Sequence, residues 1–147
     1  MTPHGPVTLL LVEDDVGHAR LIEKNLKRSH VTNTIITLDD GQKAVDFLFS
    51  EGEYQGIEPP LPLLVLLDLN LPVLDGYQVL KRMKEDEKTH RIPVIILTTT
   101  DDPREIYKCY ELGCNVYITK PVEYDQFSEA IRNLGLFLQV IKVPDGE

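Results

Sequence analysis

The chain is poor in basic residues, in cysteine and in long apolar runs, and each shortage excludes a class of protein. Its 147 residues hold 15 Lys and Arg against 24 Asp and Glu, a formal net charge of −9. An acidic chain repels phosphate backbones and anionic headgroups, so we expect no nucleic-acid partner and no membrane partner. The two cysteines, Cys109 and Cys114, form neither a CxxC motif nor a ligand cluster, which suits core thiols in a reducing cytoplasm.

The N-terminal region also lacks the features of a targeting or membrane segment. The stretch MTPHGPVTLLLVEDD has no basic region, and its apolar run is too short for a signal peptide or a membrane span. We therefore expect a soluble, cytoplasmic protein. With 42% hydrophobic residues, the chain is long enough for one domain whose core needs neither disulfides nor metals.

Short apolar runs alternate five times with stretches of helical periodicity. The runs predict strands at residues 7–12, 33–38, 63–67, 93–97 and 115–118. A long loop rich in glycine and proline is predicted at residues 50–62, and a helix start at Asp102 and Pro103. Because the strands are apolar on both faces, the sequence predicts a parallel sheet covered by helices on both sides, an α/β fold.

Polar residues stand where these predicted strands end. They are Glu13, Asp14 and Asp15 after the first strand, Asp68 at the third, Thr98, Thr99 and Thr100 after the fourth, and Lys120 and Pro121 after the fifth. Each group alone has a plain explanation: acids favour a helix start, threonines favour strands, and Lys-Pro favours a turn. Together, at the carboxyl edge of one sheet, they favour a functional site.

The acids in this group would repel one another unless a divalent cation lay among them. Mg²⁺ prefers oxygen ligands and keeps several waters, so Asp14 and Asp68 suit direct coordination and Glu13 suits a contact through water. The backbone carbonyl of Asn70 suits the remaining protein ligand. We expect Mg²⁺ as the cofactor, with Mn²⁺ or Ca²⁺ as its substitutes in crystals.

A hydroxyl and an ammonium are expected at the same place. Thr98 and Lys120, with the metal, would surround and neutralise the oxygens of a phosphoryl group placed on Asp68. His18 lies close to the acidic loop, where it is either a metal ligand or, as we expect, a surface residue.

The stretches LLLVEDD, LLDLNLPVLDGYQVL, IPVIILTTT and YITKP resemble the receiver domain of two-component response regulators, over residues 7–138. The resemblance implies a flavodoxin-like fold with strand order 2-1-3-4-5 and five helices. It implies that Asp68 is the phosphoacceptor. The other implied site residues are Glu13, Asp14 and the Asn70 carbonyl for the metal, Thr98, Thr99, Lys120 and Tyr117 for the phosphoryl group and the switch, and Lys120 and Pro121 for a cis peptide.

Two features resemble the stand-alone response regulators paired with bacterial phytochromes. Loop 50–62 is longer than a minimal receiver needs, and the tail LGLFLQVIKVPDGE extends the last helix without room for an output domain. The resemblance implies a sensor histidine kinase, a phytochrome, as phosphoryl donor, and a homodimer that involves residues 139–147. The candidate interface residues are Tyr107, Tyr110, Phe137, Leu138, Val140 and Ile141. Packing of the tail and the tyrosines within one protomer is the alternative.

Two other functions compete with a phosphorylated binding module. Haloacid-dehalogenase-type phosphatases also use a strand-end aspartate, but they need a second acid where this chain has Asn70. Pseudo-receivers that act as scaffolds lack one or more of the acids, the threonine or the lysine, all of which are present. The sequence favours a phosphoacceptor that promotes its own phosphorylation and dephosphorylation rather than an enzyme that turns over a separate substrate.

Overall fold

The computed structural model describes residues 7–28 and 31–133, in which strands and helices alternate as predicted. The strands are β1 Thr8–Val12, β2 Ile35–Leu38, β3 Leu63–Asp68, β4 Val94–Thr98 and β5 Val116–Thr119. The helices are α1 Val16–Arg28, α2 Gly41–Phe49, α3 Gly76–Glu85, α4 Pro103–Leu112 and α5 Tyr124–Asn133. The prediction of an α/β fold built from five repeats of strand and helix is therefore confirmed.

The five strands form one parallel sheet in the order β2-β1-β3-β4-β5. This confirms the predicted order. The central strand β3 pairs with β1 on one side and with β4 on the other, so that Val12 lies opposite Leu67, and Asp68 lies opposite Leu97. All carboxyl ends consequently lie at one edge of the sheet.

The core lies in two layers, one on each face of the sheet. Val65 and Leu67 point into the layer beneath α2, α3 and α4, whereas Leu64 and Leu66 point into the layer beneath α1 and α5. Alternate side chains of one strand thus enter opposite layers, which explains why each strand is an unbroken apolar run.

Local signals in the sequence fix the helix ends. Asp102 caps α4 with its side chain, Pro103 occupies the first turn, and Gly113 ends the helix with a φ of 107°. Asp75 begins α3 with a capping box that it shares with Gln78. A residue such as Gly113 tolerates this left-handed backbone, which a side chain at Cβ disfavours.

Several predicted boundaries were wrong. Strand β2 begins at Ile35 rather than at position 33, and the Asn33 side chain that precedes it donates a hydrogen bond to the Val7 carbonyl at 2.7 Å. Strands β3 and β4 each extend one residue further, through Asp68 and Thr98. The predicted loop 50–62 contains a short 3-10 helix, Gly52–Tyr54.

The final part of the chain lies outside the described residues. Helix α5 is described to Asn133, so the predicted continuation through Leu134 and the tail 139–147 are not covered. Four candidate interface residues fall in the same segment: Phe137, Leu138, Val140 and Ile141. Within residues 7–28 and 31–133, no helix has the length and apolar character needed to cross a membrane.

Candidate functional site

Three acids meet at the carboxyl edge of the sheet. Glu13 follows β1, Asp14 begins the turn into α1, and Asp68 is the last residue of β3. Each offers a carboxylate oxygen within 4.8 Å of the other two. Glu13 and Asp68 are buried, at 2% and 6% exposed, while Asp14 is exposed to solvent. The topology therefore brings together the acids that the sequence placed at separate strand ends.

Lys120, just after β5, lies between the two buried acids. Its Nζ forms an ion pair with Glu13 Oε1 and lies 3.2 Å from Asp68 Oδ2. The side chains of Lys120, Glu13 and Asp68 are only 8%, 1% and 7% exposed. One ammonium balances one of the three carboxylates, so two negative charges remain. Clustered carboxylate oxygens with this excess charge fit a divalent, oxygen-seeking cation such as Mg²⁺.

Burial controls the ionisation of Glu13. Desolvation raises the pKa of the Glu13 carboxyl above its ordinary value, and this effect exceeds the opposing effect of the hydrogen bond from Lys120. The charge of Asp68 nearby raises the same pKa further. In the absence of a cation the site therefore holds a carboxylate whose charged form is costly.

Both oxygens of Asp68 are oriented by neighbours. Lys120 donates to Oδ2, and the backbone N–H of Asn70 donates to Oδ1 at 3.3 Å. The backbone behind Asp68 is also tightly enclosed, because a Cβ at Gly76 would lie 2.3 Å from the Asp68 carbonyl oxygen. Gly76, at the start of α3, thus has a steric role directly behind the candidate phosphoacceptor.

The threonine that ends β4 faces the interior of the same edge. Thr98 is fully buried, its hydroxyl lies 3.5 Å from the Thr100 backbone nitrogen, and its carbonyl accepts a 2.8 Å hydrogen bond from the Lys120 backbone N–H. The ends of β4 and β5 are thereby tied together beside Asp68. Thr99 is exposed, and the Lys120–Pro121 peptide bond is cis.

Tyr117 lies across the loop that follows β4. It is half-buried, and its hydroxyl donates a 2.5 Å hydrogen bond to the Thr100 carbonyl. Burial raises the pKa of Tyr117 to about 12, so the hydroxyl keeps its proton and remains a donor. Tyr117 therefore contacts the loop after Thr98 through the Thr100 carbonyl.

The two tyrosines of α4 lie on the outer surface. Tyr107 is 67% exposed and Tyr110 is 48% exposed. They are available for contacts outside the domain, while the remaining candidate interface residues lie beyond the described part of the chain.

Sequence reasoning missed one contact of the site. His18, in the first turn of α1, places its Nδ1 atom 3.2 Å from Lys120 Nζ. The sequence signal was the position of His18 near the acidic loop, but the partner lies 102 residues away and depends on how α1 packs against the end of β5.

A doubly wound parallel sheet with acids, threonine and lysine at its carboxyl edge defines an α/β protein suited to phosphate chemistry. Comparison with known proteins agrees: the sequence profile of the response regulator receiver domain matches residues 9–132. A receiver domain from Rhodospirillum rubrum, known from its crystal structure, is 55% identical with a TM-score of 0.74; the match covers 96% of this chain and 99% of that one.

Two further relatives are named as response regulators, and one of them as a cyanobacterial phytochrome response regulator. Response regulator Rcp1 from Synechocystis sp. is 38% identical over 95% of this chain and 94% of its own length, and its Mn²⁺-bound crystal structure has a TM-score of 0.75. The phosphorylated cyanobacterial phytochrome response regulator RcpA is 37% identical, with a TM-score of 0.76 over 96% of this chain and all of that one.

The chain belongs to the response regulator receiver domain family. Proteins of this family receive a phosphoryl group from histidine kinases and bind a divalent metal. They are regulators rather than enzymes that turn over a separate substrate.

Proposed function

We propose that this protein accepts a phosphoryl group on Asp68 from the phosphohistidine of a sensor histidine kinase, in a reaction that requires Mg²⁺. The observation that carries the proposal is the Asp68 carboxylate, buried at a strand end and held between Lys120 Nζ and the Asn70 N–H. A carboxylate without such neighbours would be solvated or protonated at a strand end.

The residues divide the work by their chemistry. Asp14, Asp68 and the Asn70 carbonyl would hold the metal directly, and Glu13 through water. When bound, Mg²⁺ neutralises charge on the oxygens of the transferred group. Lys120 donates a hydrogen bond to one of these oxygens, and the Thr98 hydroxyl donates to another.

The transfer itself needs one nucleophile and one leaving group. A carboxylate oxygen of Asp68 forms a bond to phosphorus, and the bond between phosphorus and the histidine nitrogen breaks. Its electron pair stays on that nitrogen, and the other ring nitrogen carries a proton, so the leaving group is a neutral imidazole and nothing is oxidised or reduced. The product is an aspartyl phosphate, which later hydrolysis returns to the carboxylate.

The signal is a change around β4 and β5. Thr98 moves toward the phosphoryl group, with the small Thr99 beside it, and the Tyr117 side chain settles against the loop that carries Thr100. The hydrogen bond between Tyr117 and the Thr100 carbonyl supports this route, because it links the hydroxyl to the loop that Thr98 begins. The surface of α4 then changes its affinity for partners.

A phytochrome is the proposed kinase, and a second copy of the chain is the proposed partner of the α4 face. The similarity to RcpA supports a phytochrome as the kinase, since RcpA is named as a phytochrome response regulator. Rcp1 is a second response regulator of similar identity. The exposed side chains of Tyr107 and Tyr110 on α4 support a homodimer. So do four apolar residues of the tail: Phe137, Leu138, Val140 and Ile141. The protein would act in the cytoplasm, without nucleic acid or membrane.

The test of the phosphoacceptor is the intact mass after incubation with acetyl phosphate, with Mg²⁺ or with EDTA. One phosphoryl group, labile to hydroxylamine and formed only with Mg²⁺, is expected on the wild type. Asp68→Asn should form none, whereas Asp101→Asn, which alters an exposed acid after β4, should react normally. An adduct on Asp68→Asn of the same yield would overturn the assignment.

Kinase and dimer are tested separately. Transfer from a phosphorylated phytochrome kinase should be faster than from a histidine kinase with an unrelated sensor, and equal rates would contradict the pairing. Sedimentation velocity before and after phosphorylation should show a dimer that the double change of Tyr107 and Tyr110 to alanine weakens. An unchanged monomer in every sample would contradict the dimer.

A further inference from the structure

We propose that His18 is a positioning residue for Lys120: its neutral imidazole accepts a hydrogen bond at Nδ1 from the Lys120 ammonium and keeps that ammonium beside Asp68. The inference rests on the proposed function, since it concerns the group that meets the incoming phosphoryl oxygens. Among the described residues, the His18 ring forms a hydrogen bond with Lys120 and with none of the three acids of the site, so its effect passes through Lys120.

The hydrogen-bonding capacity of Lys120 carries the argument. An ammonium has three N–H donors and no acceptor. Three acceptors surround Lys120 Nζ: Glu13 Oε1, Asp68 Oδ2 at 3.2 Å, and His18 Nδ1 at 3.2 Å. Each N–H donor of Lys120 therefore has one acceptor. To accept the hydrogen bond from Lys120, His18 Nδ1 must be unprotonated. The proton of the neutral ring then belongs to Nε2.

The backbone fixes His18 in this place. Glu13 Oε2 accepts a hydrogen bond from the Asp15 N–H at 3.1 Å, and Asp15 Oδ1 accepts one from the His18 N–H at 2.9 Å. With the contacts from Lys120 to His18 and to Glu13, these bonds form a closed ring of four residues. The first turn of α1 and the lysine are thus held by the same carboxylate.

A neutral acceptor suits this position better than a charged one. Two carboxylates already draw the ammonium from two sides, and a third would repel the phosphoryl group that the site must admit. Without His18, the third N–H turns to water and Lys120 is free to move toward Glu13 alone. The N–H groups that should meet the phosphoryl oxygens are then less well oriented.

The test compares initial rates of phosphorylation by acetyl phosphate at saturating Mg²⁺. His18→Ala removes the acceptor and should react about fivefold more slowly, the effect expected for one hydrogen bond. In His18→Asn the amide oxygen is bonded to Cγ, as Nδ1 is in histidine, so it can accept the same hydrogen bond. The initial rate of His18→Asn should therefore be within about twofold of the wild-type rate. His90→Ala, a change at another exposed histidine, should react at the wild-type rate.

A second readout does not depend on phosphorylation. In the metal-free wild type, nitrogen NMR of the His18 ring at neutral pH should show the proton on Nε2, with Nδ1 unprotonated. A ring that carries its proton on Nδ1 overturns the inference. So does a His18→Ala protein that reacts at the wild-type rate, or a His18→Asn protein as slow as His18→Ala.

The two proposals fail in distinguishable ways. If the wild type forms no phosphoryl adduct, the proposed function fails. The tautomer of the His18 ring then tests the hydrogen bond between His18 and Lys120 by itself. If the wild type is phosphorylated but the His18 proton is not on Nε2, or His18→Asn does not restore the rate, only the positioning role of His18 fails.

Discussion

Replacing Lys120 by methionine tests the charge balance of the site without removing any acid. The side chain of Lys120 is 8% exposed and lies between Glu13 and Asp68, which are 1% and 7% exposed. Methionine keeps most of the volume but leaves both carboxylates without their ammonium. Breaking a buried ion pair from one side costs about 3–5 kcal/mol, because an uncompensated charge stays behind.

This free energy is large enough to measure by simple unfolding. For a chain of this size, 1 kcal/mol shifts the melting temperature by about 2–4 °C, so Lys120→Met should melt roughly 6–20 °C below the wild type in EDTA. The chain has no tryptophan, so circular dichroism is the suitable signal. With Mg²⁺ the deficit should shrink, because the cation replaces part of the missing positive charge.

A matched control separates this effect from loss of any lysine. Lys81 forms an ion pair with Glu85 on the surface of α3, where both side chains are more than half exposed. Lys81→Met should cost no more than about 0.5 kcal/mol, as exposed pairs do. The reasoning from charge balance is wrong if Lys120→Met and Lys81→Met have the same melting temperature in EDTA. It is also wrong if Mg²⁺ does not reduce the difference in melting temperature between Lys120→Met and the wild type.

Three further predictions concern Glu13, the cysteines and Gly76. Burial raises the pKa of Glu13 in the folded protein, so the ionised carboxylate opposes folding. This cost is absent below the ordinary pKa of 4.5, grows as the pH rises and is complete above the raised pKa. In EDTA at about pH 7, Glu13→Gln should therefore resist urea better than the wild type, and the difference should disappear below pH 4.5. Burial raises the pKa of Cys109 to about 11 and that of Cys114 to about 12, so mass spectrometry should find both thiols unalkylated by iodoacetamide in the native protein and alkylated in urea. Gly76→Ala should cost about 1–3 kcal/mol by urea unfolding, because its Cβ would lie 2.3 Å from the Asp68 carbonyl oxygen.

The sheet was predictable because burial on both faces leaves a continuous apolar signal. Leu64 and Val65 enter opposite core layers, so neither face of β3 interrupts the run. The strand ends were less predictable, since they depend on the neighbouring strand. Asp68 belongs to β3 because it lies opposite Leu97, and a carboxylate gives no local sign of that pairing.

The site was predictable where topology alone brings residues together. The rule that parallel strands end at one edge placed Asp68, Lys120 and the acids after β1 in the same region. Contacts that depend on packing were not predictable. The approach of His18 to Lys120 spans 102 residues, and the hydrogen bond from Tyr117 to the Thr100 carbonyl depends on the path of a loop.

The central claim is that the chain carries a phosphoryl group on Asp68, and reductive trapping tests it most directly. Borohydride reduces an aspartyl phosphate to homoserine, so peptide mass spectrometry after transfer from a phosphorylated histidine kinase locates the modified residue. The account predicts homoserine at position 68, in Mg²⁺ and not in EDTA. Homoserine at position 14, or no reduced residue after complete loss of phosphate from the kinase, would contradict it.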